Sequence, residues 1–99
     1  MIINILLYYI NNMIAYFTEL LGTAFLVYII FATSNYIAIG AALALIVLLG
    51  GPVSGGAFNP AVALSLYAAG KIGKIDLGAY ILAEIVGGLI GYFLYKAVM

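Results

Sequence analysis

The sequence predicts an all-α membrane protein, and three observations support this prediction. Of the 99 residues, 69% are hydrophobic and only 6% are charged, whereas soluble domains are about half apolar and about a quarter charged. The mean hydropathy is +1.34. The apolar residues also form runs long enough for three crossings, since one helical crossing needs about 20 residues. We therefore expect an integral, multi-pass membrane protein, without a signal that selects one particular membrane.

The composition excludes most catalytic and metal chemistry. The chain has no Cys and no His, the residues that supply thiol nucleophiles, the usual general base and the commonest metal ligand. Its net charge is zero, with three lysines and no arginine, so it offers no basic patch for nucleic acid. We expect no enzymatic activity and no catalytic residues. We likewise expect no cofactor, no metal site and no nucleic-acid partner.

The first apolar run is interrupted by Asn11 and Asn12. It can form one long helix that starts outside the bilayer, or a short interfacial segment that leads into a span. We favour an interfacial segment over residues 1–12 and a first transmembrane helix over 13–33, because the Asn pair and residues such as Tyr8 suit a membrane interface. Both alternatives place one crossing in this part of the chain.

Two later apolar runs predict the second and third crossings. The second transmembrane helix is predicted over residues 36–51 and the third over 77–96. Asp76 precedes the third helix and is a suitable N-cap, and Lys96 suits its C-terminal end. Together with the first span, the chain is predicted to cross the membrane three times.

The stretch GGPVSGGAFNPAVALSLYAAG breaks the helical pattern between the second and third spans. Its glycines and Pro52 predict a loop over residues 52–59. Asn59 is a good N-cap and Pro60 a good first helical residue, which predicts a helix over 60–69. Such a helix reaches about half way across the hydrocarbon core. The stretch therefore predicts a re-entrant loop and half-helix; a surface loop followed by an interfacial helix is the alternative on composition alone.

The segment SGGAFNPAVAL resembles the signature of the aquaporin, or major intrinsic protein, family, whose two repeats each carry a re-entrant Asn-Pro-Ala loop. TELLGTAFLV is similar to the Glu-x-x-x-Thr pattern of the family's first helix, at Glu19 and Thr23, and YILAEIVGGLIGY resembles its third helix. The resemblance covers roughly residues 15–98. This is one repeat, so we expect a single-repeat, half-length member.

The resemblance implies a passive channel in which the motif Asn59, Pro60 and Ala61 lies at the pore centre and Asn59 donates hydrogen bonds to permeating molecules. Glu19 is implied to support the loop by accepting backbone N–H bonds. The carbonyl groups that would line the pore belong to four consecutive loop residues: Gly55, Gly56, Ala57 and Phe58.

The chain departs from the family where the narrow filter usually has an arginine. Val62 occupies that position, and its companions by spacing are Ile39 and Gly56. An apolar constriction lacks the charge and the donors of arginine, so it discriminates less between solutes. Small neutral solutes such as glycerol, urea and ammonia are therefore candidates beside water.

Three residues of the remaining helices also stand out. Gly87 and Gly91 are spaced for close helix packing. Glu84 lies inside an apolar run, where an ionisable side chain is costly and usually faces protein or water. It occupies a position where the family often has Gln, and both a protonated carboxyl and a hydrogen-bonded carboxylate are compatible with the sequence.

A lone half-helix leaves polar groups unpaired at the bilayer centre, and each such group costs several kcal/mol. We therefore expect the repeat to be completed by antiparallel dimerisation with a second copy of the chain, and such dimers to form a higher oligomer in the lipid bilayer. Two lysines on one side, Lys71 and Lys74, against Lys96 on the other give a weak orientation bias that permits dual topology.

Two rival functions remain open on the sequence. The chain can be a non-conducting partner that pairs with another aquaporin or half-aquaporin. It can also be a small multidrug-type antiporter that uses Glu19 or Glu84, although this alternative leaves the Asn-Pro loop unexplained.

Overall fold

The computed structural model describes all 99 residues and contains four helices and no strand. In chain order these are α1 (Ile2–Thr33), α2 (Tyr36–Ser54), α3 (Pro60–Ala68) and α4 (Lys74–Val98). Helices α1, α2 and α4 are each long and apolar enough to cross a membrane. The prediction of an all-α membrane protein is confirmed.

Helix α1 is continuous over 32 residues, from Ile2 to Thr33. The structure thus has the long helix considered as an alternative, without a break between the proposed segments 1–12 and 13–33. An Asn inside a helix costs only about 0.7 kcal/mol or less relative to Ala, which is too little for Asn11 and Asn12 to interrupt a run of this length.

A tight turn joins α1 to α2. Ser34 has a left-handed backbone (φ 46) and ends α1, and the side chain of Asn35 then caps α2. The Oδ1 atom of Asn35 accepts hydrogen bonds from the N–H groups of Ile37 and Ala38, at 2.9 and 3.0 Å. These bonds satisfy two of the backbone donors that every helix start leaves free.

Helix α2 continues to Ser54 with Pro52 inside it, whereas the sequence led us to end the helix at residue 51. Proline removes one N–H donor from a helix, but it leaves the later N–H groups available. The N–H of Gly55 donates to the carbonyl oxygen of Gly51 at 2.8 Å and closes the last turn. The chain reverses just beyond this point, where Gly55 and Gly56 have positive φ angles of 87 and 70.

Helix α3 begins at Pro60, with Asn59 as its N-cap, and ends one residue before the predicted position. Gly70 has a positive φ of 76, and the following N–H, that of Lys71, donates to the carbonyl oxygen of Leu66 at 2.8 Å. This is the hydrogen bond of a Schellman motif, in which glycine takes the left-handed position that ends a helix.

Helix α4 begins at Lys74, earlier than predicted, and its N-cap is Gly73. The assignment of Asp76 as the N-cap is therefore wrong. Asp76 lies in the first turn, where its carboxylate accepts a hydrogen bond from the hydroxyl of Tyr16 instead. A carboxylate at this position still interacts favourably with the positive end of the helix dipole.

Helix α1 is central: α2 and α4 pack against it, while α3 packs against α4 and has no direct packing with α2. Helices α1 and α4 approach each other closely at Gly87 and Gly91. A Cβ atom added at either glycine would collide with a main-chain carbonyl oxygen of α1, that of Leu20 or that of Ala24 respectively. The matching order of these contacts shows that α1 and α4 run in the same direction.

Helix α3 runs back along α1. The residue that precedes its N-cap, Phe58, contacts Thr23 near the middle of α1. At its other end, Leu66 packs around the small core that includes Ala15, in the N-terminal half of α1, and Tyr80. The chain therefore turns around near mid-length of α1 and returns towards the end at which α1 begins.

Candidate functional site

The loop between α2 and α3 is organised around the buried carboxylate of Glu19. This side chain is fully buried in α1. It accepts hydrogen bonds from the N–H of Ala57 at 3.2 Å, from the N–H of Phe58 at 2.7 Å and from the hydroxyl of Ser54. Charge-assisted bonds of this kind are about twice as strong as neutral ones. Glu19 thus holds the backbone of the loop against α1.

The same hydrogen bonds orient the carbonyl groups of the loop. No peptide bond in the chain is cis, and in a trans peptide the C=O points opposite to the N–H. Because the N–H groups of Ala57 and Phe58 point at Glu19, the carbonyl oxygens of Gly56 and Ala57 point away from it. The carbonyl oxygens of Gly55, Gly56 and Ala57 accept no hydrogen bond within the chain. They are available to another molecule.

Phe58 differs from the other three residues of the proposed carbonyl ladder. Its carbonyl oxygen accepts a hydrogen bond from the hydroxyl of Thr23 at 3.5 Å. Its ring is buried against Gly22 and Gly50, where an added Cβ atom would collide with the ring. Its φ angle is +54, a conformation that is rare for a bulky residue. Phe58 is therefore anchored by its N–H, its C=O and its ring.

Asn59 combines a capping role with a free donor. Its Oδ1 atom accepts a hydrogen bond of 2.7 Å from the N–H of Ala61, so its Nδ2 group is left to donate elsewhere. Asn59, Pro60 and Ala61 are all exposed on this chain. They lie at the N-terminus of α3, which carries the positive end of the helix dipole. The motif therefore presents hydrogen-bond donors and a positive potential on an uncovered surface.

The three constriction candidates are not brought together within one chain. Val62 is 43% exposed, and Ile39 and Gly56 are partly buried. Ile39 lies in the first turn of α2, next to the end of α1, whereas α3 returns towards the start of α1 and does not pack against α2. Ile39 thus lies near the end of α1, whereas Val62 lies in the first turn of α3, close to mid-length of α1, so the two residues are separated along the molecule.

Two tyrosines that sequence reasoning did not assign to the site complete the support of the loop. The hydroxyl of Tyr80 donates to the main-chain oxygen of Ser54 at 2.7 Å. Tyr16 packs edge-on against Tyr80, with ring centroids 5.9 Å apart, and donates to Asp76. The sequence spacing between Tyr16 and Tyr80 gives no local signal for this contact. It arises only because α4 packs along α1.

Glu84 is the second buried carboxyl group of the site. The residue is 2% exposed, and both carboxyl oxygens are buried without a hydrogen-bond donor. Its polar neighbours are the carboxyl group of Glu19 and the N–H of Asn59. The structure therefore places Glu84 beside the carboxylate that holds the loop.

These helices and their polar loop define an integral, multi-pass, all-α membrane protein. Residues 33–99 match the family model described as Major intrinsic protein, and the chain belongs to the major intrinsic protein family. The match includes α2, the loop, α3 and α4. Membership of this family also supports the prediction that the chain is not an enzyme.

Relatives from bacteria and a plant are similar over much of the chain. The chain is 41% identical to "Aquaglyceroporin AqpS" of Rhizobium meliloti over 58 residues, which cover 59% of the chain and 25% of the relative. It is 33% identical to "Aquaporin Z" of Photorhabdus laumondii, over 73% of the chain and 38% of the relative. It is 37% identical to "Nodulin-26" of Glycine max, over 89% of the chain and 35% of the relative. The chain thus spans well under half the length of these relatives.

Proposed function

We propose that two copies of this chain, inverted relative to each other, form a passive channel for water and small neutral solutes. The observation that carries the proposal is the geometry around Asn59. A free amide donor stands at the N-terminus of α3, two residues after the last of three carbonyl groups that accept no hydrogen bond within the chain. Alternating donors and acceptors of this kind can replace the hydrogen bonds that a permeating molecule leaves behind in water.

The loop and α3 re-enter the membrane in this proposal. Helix α3 has nine residues and is about 14 Å long at 1.5 Å per residue, so it covers about half of the hydrocarbon core. Its return towards the start of α1 is compatible with entry and exit on one face. Irregular backbone at membrane depth requires burial in protein or a water-filled cavity, and the free carbonyl groups favour the cavity.

A second, inverted copy supplies what one chain lacks. Asn59, Pro60 and Ala61 are exposed, and a polar helix end exposed to lipid is strongly unfavourable. An inverted copy would cover this end with its own α3. It would also carry its Val62 towards the end of the molecule where the first copy has Ile39. Two equivalent constrictions would then form, one at each mouth, and such pairs could associate into larger oligomers.

The apolar character of these constrictions supports a broad range of neutral solutes. Val62 and Ile39 contribute no hydrogen-bond donor and no charge, so they discriminate less than an arginine would. The positive ends of two α3 helices at the midplane disfavour cations and protons. The names of two relatives, an aquaglyceroporin and an aquaporin, also point to water and small polyols. Glycerol, urea and ammonia are the solutes to compare with water.

Stopped-flow light scattering on proteoliposomes tests the channel. Vesicles that contain the chain should change volume faster than empty vesicles, both in an osmotic gradient and with glycerol, and should carry no current. Asn59→Asp should lower the flux, because the carboxylate keeps the cap on the N–H of Ala61 but loses the Nδ2 donor. Asn35→Asp is the matched control, since Asp caps α2 as well as Asn does. Equal fluxes for wild type and Asn59→Asp would contradict the pore assignment.

Single-cysteine cross-linking tests the inverted pair. The chain has no native cysteine, so any disulfide must form through the introduced residue. Ala61→Cys should give a disulfide-linked dimer on mild oxidation, because Ala61 is expected to meet its counterpart. Leu82→Cys is the control, since Leu82 is 64% exposed on α4. Terminal tags should be accessible from both sides of sealed vesicles. A single uniform orientation, or cross-links only to a different protein, would favour the non-conducting partner role instead.

A further inference from the structure

We infer that Glu84 is a positioning residue of the loop: it shares one proton with Glu19, and the resulting hydrogen bond ties α4 to the carboxylate that holds the loop. The flux arm of the test rests on the proposed channel function. The spectroscopic arm does not depend on it.

The carboxyl group of Glu84 has no hydrogen-bond donor of its own. Its side chain is nine-tenths or more buried, and neither carboxyl oxygen accepts a hydrogen bond. A buried ionised carboxylate without donors or a cation is among the most unfavourable groups in a protein. A neutral carboxylic acid avoids most of this penalty and gains an O–H donor.

No cationic side chain lies near the pair formed by Glu84 and Glu19. From α1, Glu84 faces Glu19, and from the loop it faces the N–H of Asn59. The only ionisable side chain of α2 is Tyr36, in its first turn, and that of α3 is Tyr67, near its C-terminal end. On α4 itself, Tyr80 lies one turn away and donates to a main-chain oxygen. The lysines occupy the loop before α4 and the two ends of that helix: Lys71, Lys74 and Lys96.

The shared proton belongs to Glu84. Two adjacent carboxyl groups without a cation cannot both be ionised, so they share one proton. Glu19 already accepts hydrogen bonds from three donors. Glu84 has none. Glu84 is therefore the protonated member, and its O–H donates to the carboxylate of Glu19.

The shared proton has a direct consequence for the loop. When it is lost, two negative charges lie side by side in apolar surroundings, and their repulsion drives α4 and Glu19 apart. Glu19 then no longer holds the N–H groups of Ala57 and Phe58. Since the protonated state is favoured at low pH, the loop is held at low pH and released as the pH rises.

Infrared spectroscopy of the chain in lipid tests the proton directly. The chain has only three acidic side chains, so the C=O stretch of a protonated carboxylic acid is readily assigned. Wild-type protein at neutral pH should show this band, and Glu84→Gln should abolish it. Absence of the band in the wild type, or its persistence in Glu84→Gln, would overturn the inference even if the chain conducts water.

The pH profile of water flux separates a positioning role from a merely structural one. Wild-type flux should fall as the external and internal pH are raised together. Glu84→Gln should retain flux without this dependence, because a neutral amide donates to Glu19 at every pH, whereas Glu84→Leu should lose flux. Asp76→Asn, which changes the other acid of α4, should keep the wild-type profile. An unchanged pH dependence in Glu84→Gln would refute the assignment. Absence of wild-type flux would count against the channel, and the infrared band alone would then decide the inference.

Discussion

The hydroxyl of Tyr80 donates a hydrogen bond of 2.7 Å to the main-chain oxygen of Ser54, and this bond fastens α4 to the residue at which α2 ends. Tyr80→Phe removes the bond but keeps the ring. Its free energy of unfolding should fall by about 1 kcal/mol, the usual net value of one hydrogen bond. The control is Tyr92→Phe, since Tyr92 packs on Phe31 and makes no side-chain hydrogen bond. Thermal unfolding in detergent compares them, and equal melting temperatures would contradict the role of Tyr80.

Gly87→Ala should be strongly destabilising. The added Cβ atom would collide with the carbonyl oxygen of Leu20, so α1 and α4 would have to separate. Overpacking of this type costs about 1 to 3 kcal/mol, and occasionally more. Gly78→Ala in the same helix is the control, because nothing lies within 4 Å of a Cβ atom there. The yield of folded protein and its melting temperature should fall only for Gly87→Ala.

Phe58→Ala should disorganise the loop while leaving the three long helices intact. The ring is 3% exposed and fills the space beside Gly22 and Gly50. Truncation of a buried Phe costs about 3 to 5 kcal/mol in soluble proteins. Phe93→Ala is the control, since Phe93 is 62% exposed. Circular dichroism should report the same helix content for both variants. Hydrogen exchange at Ala57 should increase only in Phe58→Ala, and equal protection would contradict the anchor.

Glu19→Leu should abolish water flux. The substitution leaves the N–H groups of Ala57 and Phe58 and the hydroxyl of Ser54 without their acceptor, and each unpaired buried group costs about 1 to 3 kcal/mol. Glu19→Gln should be intermediate, because the amide offers one acceptor oxygen and turns an N–H₂ group towards a donor. Flux and thermal stability should be highest in the wild type, lower in Glu19→Gln and lowest in Glu19→Leu. A Glu19→Leu protein with wild-type flux would show that the loop does not need this carboxylate.

Much of the local structure could be predicted from sequence because it depends on neighbouring residues. Asn59 is a favourable N-cap and Pro60 a favourable first helical residue, and Gly70 is a favourable residue for ending a helix. The end of α2 could not be placed, since Pro52 reads as a helix breaker. The last turn survives because Ser54 is held from outside by Glu19 and Tyr80.

In the candidate site, too, the features set by neighbouring residues were predictable from sequence, and those set by distant contacts were not. The roles of Asn59 and Glu19 were implied by short motifs, whereas the ring of Phe58 and the hydroxyl of Tyr80 act through contacts between distant parts of the chain. Phe58 meets Gly22 and Gly50 from two different helices. No spacing within one helix indicates such a contact. Asp76 was misassigned for a related reason, because its hydrogen-bond partner, Tyr16, lies 60 residues earlier.

The hydrogen bonds of Glu19 also constrain the order of folding. Their donors, Ser54, Ala57 and Phe58, follow the carboxylate by 35 to 39 residues. During synthesis the acceptor is therefore made before any of these donors exists. The loop can take shape only after α2 has inserted beside α1. A nascent chain that ends before Ser54 carries the carboxyl group of Glu19 in its first helix without a hydrogen-bond donor. This group gains its donors only when the loop after α2 forms.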